Sequence, residues 1–261
     1  MFYNSVIRTN VLHIYTAFSF KFILKTFLNF SKKGGYTVYF DKPIKMPRGS
    51  HYGSNYWEVF SKKMKRKACF FSNLEYHNFL ILEMNPKVVQ ICEQPLEIEV
   101  MIDGKIQKSI LDFWIKYDDG SEEIQEVKSV ESLTDGSKDY IRSREQIRKQ
   151  KLWCEENNIA YTVRSEKEIY TGEYTIDNYA YMTSRVRRYT LPNDAKSYRN
   201  VLIGYLDACK KTDIRILIES GRLPLGNEMI FLCYMHFEGV IRMSIDDRPL
   251  DYRTEVTLFG K

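Results

Sequence analysis

The chain has 261 residues, 44% hydrophobic and 28% charged, enough for one large domain or two modest ones and too apolar for a disordered polymer. Five scattered cysteines without a C-x-x-C pair and four dispersed histidines argue against a disulfide framework or a zinc site and fit a reducing cytoplasm. The net charge of +5 hides an uneven distribution: Lys and Arg number 13 against 2 Asp and Glu in residues 1–70, 13 against 20 in 71–169, and 13 against 12 in 170–261. A basic arm beside an acidic core suits an enzyme that grips a phosphate backbone and holds metal ions with carboxylates. It suits equally a plain solvated tail.

In chain order, residues 11–30 are apolar but interrupted by His13, Lys21 and Lys25, which argues against a membrane span. No small-residue cleavage site follows, so no signal peptide is expected. The segment reads as an amphipathic helix, or as an extension upstream of a rival start at Met46. Residues 1–60 are expected to form a basic arm, loop-like over 31–56. The dense run Lys62, Lys63, Lys65, Arg66 and Lys67 is the first candidate for DNA phosphate contacts.

Residues 72–84 predict a helix that stops before Asn85-Pro86. Alternation then predicts a strand over 95–100, a hairpin turn at Asp103-Gly104, a strand over 106–116, a turn at Asp118-Asp119-Gly120 and a strand over 122–130. A long helix over 138–157 carries Arg148 and Lys149, further DNA-binding candidates, and a short strand over 160–164 closes the domain. This order predicts an α/β fold over 61–169, a mixed sheet with flanking helices. Residues 170–196 read as a linker. Residues 197–261 read as three helices and a hairpin, a winged-helix-like domain. Its third helix, within 226–238, has no Lys or Arg, so a core or protein-contact role is expected in place of groove reading.

Four residues form a chemical set. Glu126 and Lys128 are two apart in a strand and share a face, about 7 Å apart. Asp112 lies on the preceding strand across a tight turn. Glu75 lies on the helix before the sheet, with Phe79 and Leu82 on the same stripe. Carboxylates that hold Mg²⁺ (or Mn²⁺) beside a lysine that offsets phosphate charge are the parts of phosphodiester hydrolysis. Each residue also has a plainer reading: Glu75 as part of a capping box with Ser72, Glu126 and Lys128 as an edge-strand charge pair, Asp112 as a turn former.

The stretch KRKACFFSNLEYHNFLILEMNPKVVQICEQPLEI resembles the first half of the TnsA endonuclease domain, with its basic lead, Asn-Leu-Glu helix and Glu-Gln step at Glu93-Gln94. The stretches ILDFWIKYDDGSEEIQEVKSV and AYTVRSEKEI resemble its Asp-Phe…Glu-Val-Lys core and its close. The proline common before the aspartate in PD-(D/E)XK enzymes is Leu111 here. The resemblance implies a restriction-endonuclease-like fold, with Glu75, Asp112 and Glu126 as metal-binding catalytic acids and Lys128 as the catalytic lysine. It implies cleavage of double-stranded DNA at the 5′ ends of a transposon, alongside an integrase-type transposase and an AAA+ ATPase regulator that binds the C-terminal domain. A stand-alone nuclease of the same fold would use the same residues, and a DNA-binding adaptor with a decayed site is the non-catalytic alternative.

Overall fold

A computed structural model describes residues 40, 42–46 and 55–260. The segment 11–30 and most of the basic arm lie outside the described residues. The chain divides into two compact units, 1–40 and 41–261, and the account below concerns the second.

Strands β1 (Trp57–Ser61) and β2 (Arg66–Phe70) form an antiparallel hairpin. Helix α1 (Asn73–Met84) follows, capped by Ser72, whose hydroxyl accepts from the Glu75 N–H. It stops where Asn85 turns extended, as the residue before a proline does. Phe79, Leu80, Leu82 and Met84 are all buried, so α1 packs on more than one side and forms the centre of the unit.

Strand β3 (Val88–Glu93) pairs antiparallel with β6 (Phe113–Tyr117), β6 antiparallel with β7 (Glu122–Val127), and β7 parallel with β8 (Ala160–Arg164). This is the expected mixed sheet. Phe113, Trp114 and Ile115 of β6 are consecutive and buried, the pattern of a central strand covered on both faces. Helices α2 (Val130–Leu133), α3 (Tyr140–Glu156) and α4 (Glu166–Ile169) complete this part of the chain.

The strand expected over 106–116 is in fact two. Strands β4 (Glu97–Ile102) and β5 (Lys105–Ile110) form a separate hairpin, closed by Asp103 and Gly104 at φ 51° and 73°, as a type I′ turn requires. The chain leaves β5 at Leu111-Asp112 to enter the larger sheet. The crossing is fastened by the Leu111 N–H donating to Leu96 O (3.1 Å) and the Gln94 N–H donating to Asp112 O (2.8 Å). Asp112 therefore sits at a strand break, where its side chain is released from the alternation of either sheet.

The expected linker over 170–196 contains helix α5 (Thr175–Val186), a correction to that reading. Met182 and Val186 join the core that holds Met84 of α1. The Asn178 amide donates to Ile245 O and Arg248 O at 2.6 and 2.7 Å and accepts from the Leu250 N–H at 2.8 Å. At Gly172 an added Cβ would lie 2.4 Å from Asp246 O, so this close approach requires glycine. The tail comprises α6 (Ala195–Cys209), β9 (Lys211–Asp213), α7 (Ile214–Glu219), α8 (Glu228–Phe237), β10 (Ile241–Met243) and β11 (Glu255–Leu258), with sheet order β10-β11-β9. No residue of α8 is exposed, as its uniformly apolar sequence dictates, and its residues share one core with Met182 and Val186.

Candidate active site

A cavity of about 660 Å³ opens where α1, the strand break, the end of β7 and α3 meet. Its wall includes Glu75, Asp112 and Lys128, together with Lys108, Arg142, Gln146 and Lys149. Glu126 lies behind that wall, fully buried. The four side chains singled out in the sequence thus come from a helix, a strand break and one strand end, and they gather in one place.

Each has a local anchor. The Val127 N–H donates to Asp112 Oδ2 at 2.8 Å. Lys128 Nζ donates to Glu126 Oε1 at 2.5 Å, confirming that the two share a face. Glu75 is turned back on its own helix start: the Phe71 N–H donates to Oε2 (3.1 Å) and the Ser72 hydroxyl to Oε1 (3.0 Å). The capping reading of Glu75 and its place on the cavity wall therefore both hold.

The electrostatics are those of crowded acids. Burial, then the charge of Asp112, pushes the Glu75 carboxyl up to about 7, against the opposing pull of the Phe71 N–H, Ser72 and Lys128. Burial and Asp112 also hold Glu126 well above the usual carboxylate range, although Lys128 and, more weakly, the Gln150 amide favour its charge. Burial alone would lower the Lys128 ammonium, but Glu126 and Asp112 outweigh it and raise it. Glu126 Oε2 is buried and makes no hydrogen bond. Lys128 compensates one oxygen of this buried acid, and a further cation would satisfy the other.

Hard oxygen donors suit Mg²⁺ or Mn²⁺. In this conformation, among the described residues, no three His, Cys, Asp or Glu side chains stand together as a ready cage. The chemistry of the donor set fits a divalent ion, although each carboxylate is now engaged within the protein: Asp112 with the Val127 N–H, Glu126 with Lys128, and Glu75 with Phe71 and Ser72.

Gln150 escaped the sequence reading. It is fully buried; its amide donates to Ser109 Oγ (3.2 Å) and Ile110 O (3.0 Å), and it accepts from the Tyr161 hydroxyl at 2.9 Å. It thereby ties α3 to the strand break just before Asp112. A glutamine within a charged helix gives no sign of burial in sequence; only its seven-residue spacing from the buried Ser143 hints at an inward face.

Four cations of the basic run over 62–67 have partners within the protein. Lys62 Nζ donates to Val186 O (3.1 Å) and Tyr189 O (2.8 Å). Lys63 Nζ donates to Leu82 O (3.1 Å) and to Asn85 O. Arg66 forms a two-pronged pair with Glu93, both contacts 2.6 Å, and Lys67 pairs with Glu58 at 2.5 Å. The turn between β1 and β2 meets helix ends that present bare carbonyls, which draw its cations inward. Lys65 is exposed, and Arg148 is exposed but stands off the cavity wall, whereas Lys149 lines it.

No curated protein matches the chain. Residues 85–166 match the family described as TnsA-like endonuclease N terminal. That segment holds β3 to β8 and with them Asp112, Glu126 and Lys128, while Glu75 precedes it. Over residues 85–166 the chain is therefore similar to the TnsA-like endonuclease N-terminal domain.

Proposed function

We propose that this chain is a metal-dependent DNA endonuclease that cuts the 5′ ends of a transposon, working beside an integrase-type transposase and under an ATP-dependent regulator. The observation that carries the reading is the meeting of Glu75, Asp112 and Lys128 on one cavity wall, with Glu126 behind, in a chain similar over residues 85–166 to a TnsA-like endonuclease domain. Asp112 and Glu126 would hold Mg²⁺ or Mn²⁺, and Glu75 would join them once its bonds to Phe71 and Ser72 give way. The ion would supply Lewis-acid polarisation of a phosphate oxygen.

The chain's own groups do the rest. Lys128, kept charged by Glu126 and Asp112, places an ammonium where negative charge grows on the phosphate. The Val127 N–H holds Asp112 in place.

The tail runs helix, strand, helix, helix, strand, strand, with the middle helix pair leading into a hairpin. That order supports a winged-helix-like domain. Its α8 occupies the recognition position but is covered by the protein itself, so the domain's part is protein contact through its other surfaces. None of the described helices is long and apolar enough to cross a membrane.

The test is end mapping. The chain is incubated with DNA carrying transposon ends, the partner transposase, the ATPase, and either Mg²⁺ or EDTA. Cuts confined to the 5′ ends and present only with Mg²⁺ support the reading. Cleavage that persists in EDTA overturns the metal mechanism, and equal cleavage without transposase favours a stand-alone nuclease.

A further inference from the structure

Several cations of this domain are already committed. Lys62, Lys63 and Arg66 are bonded inward, Lys128 is paired with Glu126, and Lys108 stands against Glu97 and Glu99 at 3.4 and 3.0 Å. One row differs. Arg142, Gln146 and Lys149 follow one another on α3 at i, i+4 and i+7, the spacing that aligns side chains on a single helix face. All three line the cavity that holds Asp112 and Lys128.

Among the described residues Arg142 and Gln146 make no hydrogen bond or ion pair, and Lys149 Nζ meets only Lys108 O, at 3.3 Å. Arg142 also sits in the first turn of its helix, where a cation opposes the dipole, so helix stability does not account for it. Arg148, the neighbour of Lys149, turns about 100° around the helix and leaves the wall.

We infer that this face of α3 is a phosphate rail that positions the strand to be cut. Arg142 and Lys149 are about 10.5 Å apart along the helix axis. The two cations each engage one phosphate of the same strand, and the Gln146 amide donates to a phosphate or sugar oxygen between them. The strand lying on this rail is presented to Asp112 and Lys128 on the same cavity wall. The inference rests on the endonuclease reading and adds the residues that hold the substrate. Arg142, Gln146 and Lys149 are positioning residues, separate from the acids.

The test measures duplex DNA binding by the full chain in EDTA, so that nothing is cut, over roughly 50–200 mM salt. The proteins compared are wild type, Arg142→Ala/Lys149→Ala, Arg142→Lys/Lys149→Arg and Arg148→Ala. Each lost phosphate contact flattens the slope of log affinity against log salt by about 0.9. The double alanine variant is expected to lose about 1.8 from the slope, while the charge-preserving double variant and Arg148→Ala keep it. Since a folding defect would not be repaired by swapping one cation for another, retention in the charge-preserving variant separates a rail from a structural role. If wild type binds and cuts DNA but the double alanine variant keeps the wild-type slope, the rail is overturned. If wild type neither binds duplex DNA in EDTA nor cuts it with Mg²⁺ in the presence of the transposase and the ATPase, the endonuclease reading itself is overturned.

Discussion

Glu83 anchors the turn between β1 and β2, and its replacement by leucine tests the claim that this turn is structural. The carboxylate is 2% exposed. It accepts from the Ser61 hydroxyl at 2.7 Å and from the Lys62 and Lys63 backbone N–H groups at 2.6 and 3.3 Å. Its charge also supports the Lys63 ammonium, which burial pulls down to about 7. Glu83→Leu leaves three donors without an acceptor and one buried cation without its counter-charge. Stranding three buried donors costs about 3–5 kcal/mol in all. For a unit of this size that lowers Tm by roughly 6–20 °C. Thermal and urea unfolding followed by circular dichroism give the value directly. The double variant Lys63→Met/Glu83→Leu removes both charges, so it should recover part of the loss, with a coupling above about 1 kcal/mol. A Glu83→Leu protein within about 1 kcal/mol of wild type would refute the anchor and return Lys62 and Lys63 to the list of free surface cations.

Three further outcomes follow from the same structure. Asp112→Asn relieves the like-charge pressure on Glu75 and Glu126 and keeps an acceptor for the Val127 N–H, so its Tm should equal or exceed that of wild type. Gln150→Leu strands Tyr161 and the partners of the buried amide, and should cost about 2–3 kcal/mol in urea unfolding and lower any cleavage activity through displaced Asp112. His236 is buried with Nδ1 accepting from the Met243 N–H at 3.3 Å, and burial, reinforced by Arg242, pulls it from 6.5 to about 4. Because the folded pKa lies below the unfolded one, its contribution is fully present above pH 6.5 and is lost as pH falls toward 4, at most about 3.4 kcal/mol. Urea midpoints at pH 7 and pH 4.5 should show this loss, and His236→Gln should flatten it.

Much of this architecture is legible in the sequence because it is local. Ser72 and Asn85-Pro86 bracket α1, and Asp103-Gly104 specifies its turn through backbone conformation alone. The spacing of Glu126 and Lys128 fixes their shared face, and the ion pair follows. What the sequence conceals is non-local. Residues 106–116 contain no Gly or Pro to mark a break, and only pairing with two different partners splits them at Asp112. Helix α5 was hidden by tyrosines and polar residues over 170–196, although Ile176, Tyr179, Ala180, Thr183 and Val186 recur with a helical period. The run over 62–67 looks like a DNA-binding patch because composition reports charge and not acceptors. The helix-end carbonyls and Glu83 that claim Lys62 and Lys63 arrive from 19 to 127 residues away. Gln150 illustrates the same limit: its burial depends on the strand break it supports.

The account stands on one site serving one reaction, and paired alanine variants at its two least related members test that most directly. Asp112→Ala and Lys128→Ala come from different strands, and each should abolish Mg²⁺-dependent strand cleavage while the affinity for uncut DNA, measured in EDTA, stays close to wild type. Cleavage that survives either substitution at the wild-type rate would contradict the assignment of this cavity as the place where DNA is cut.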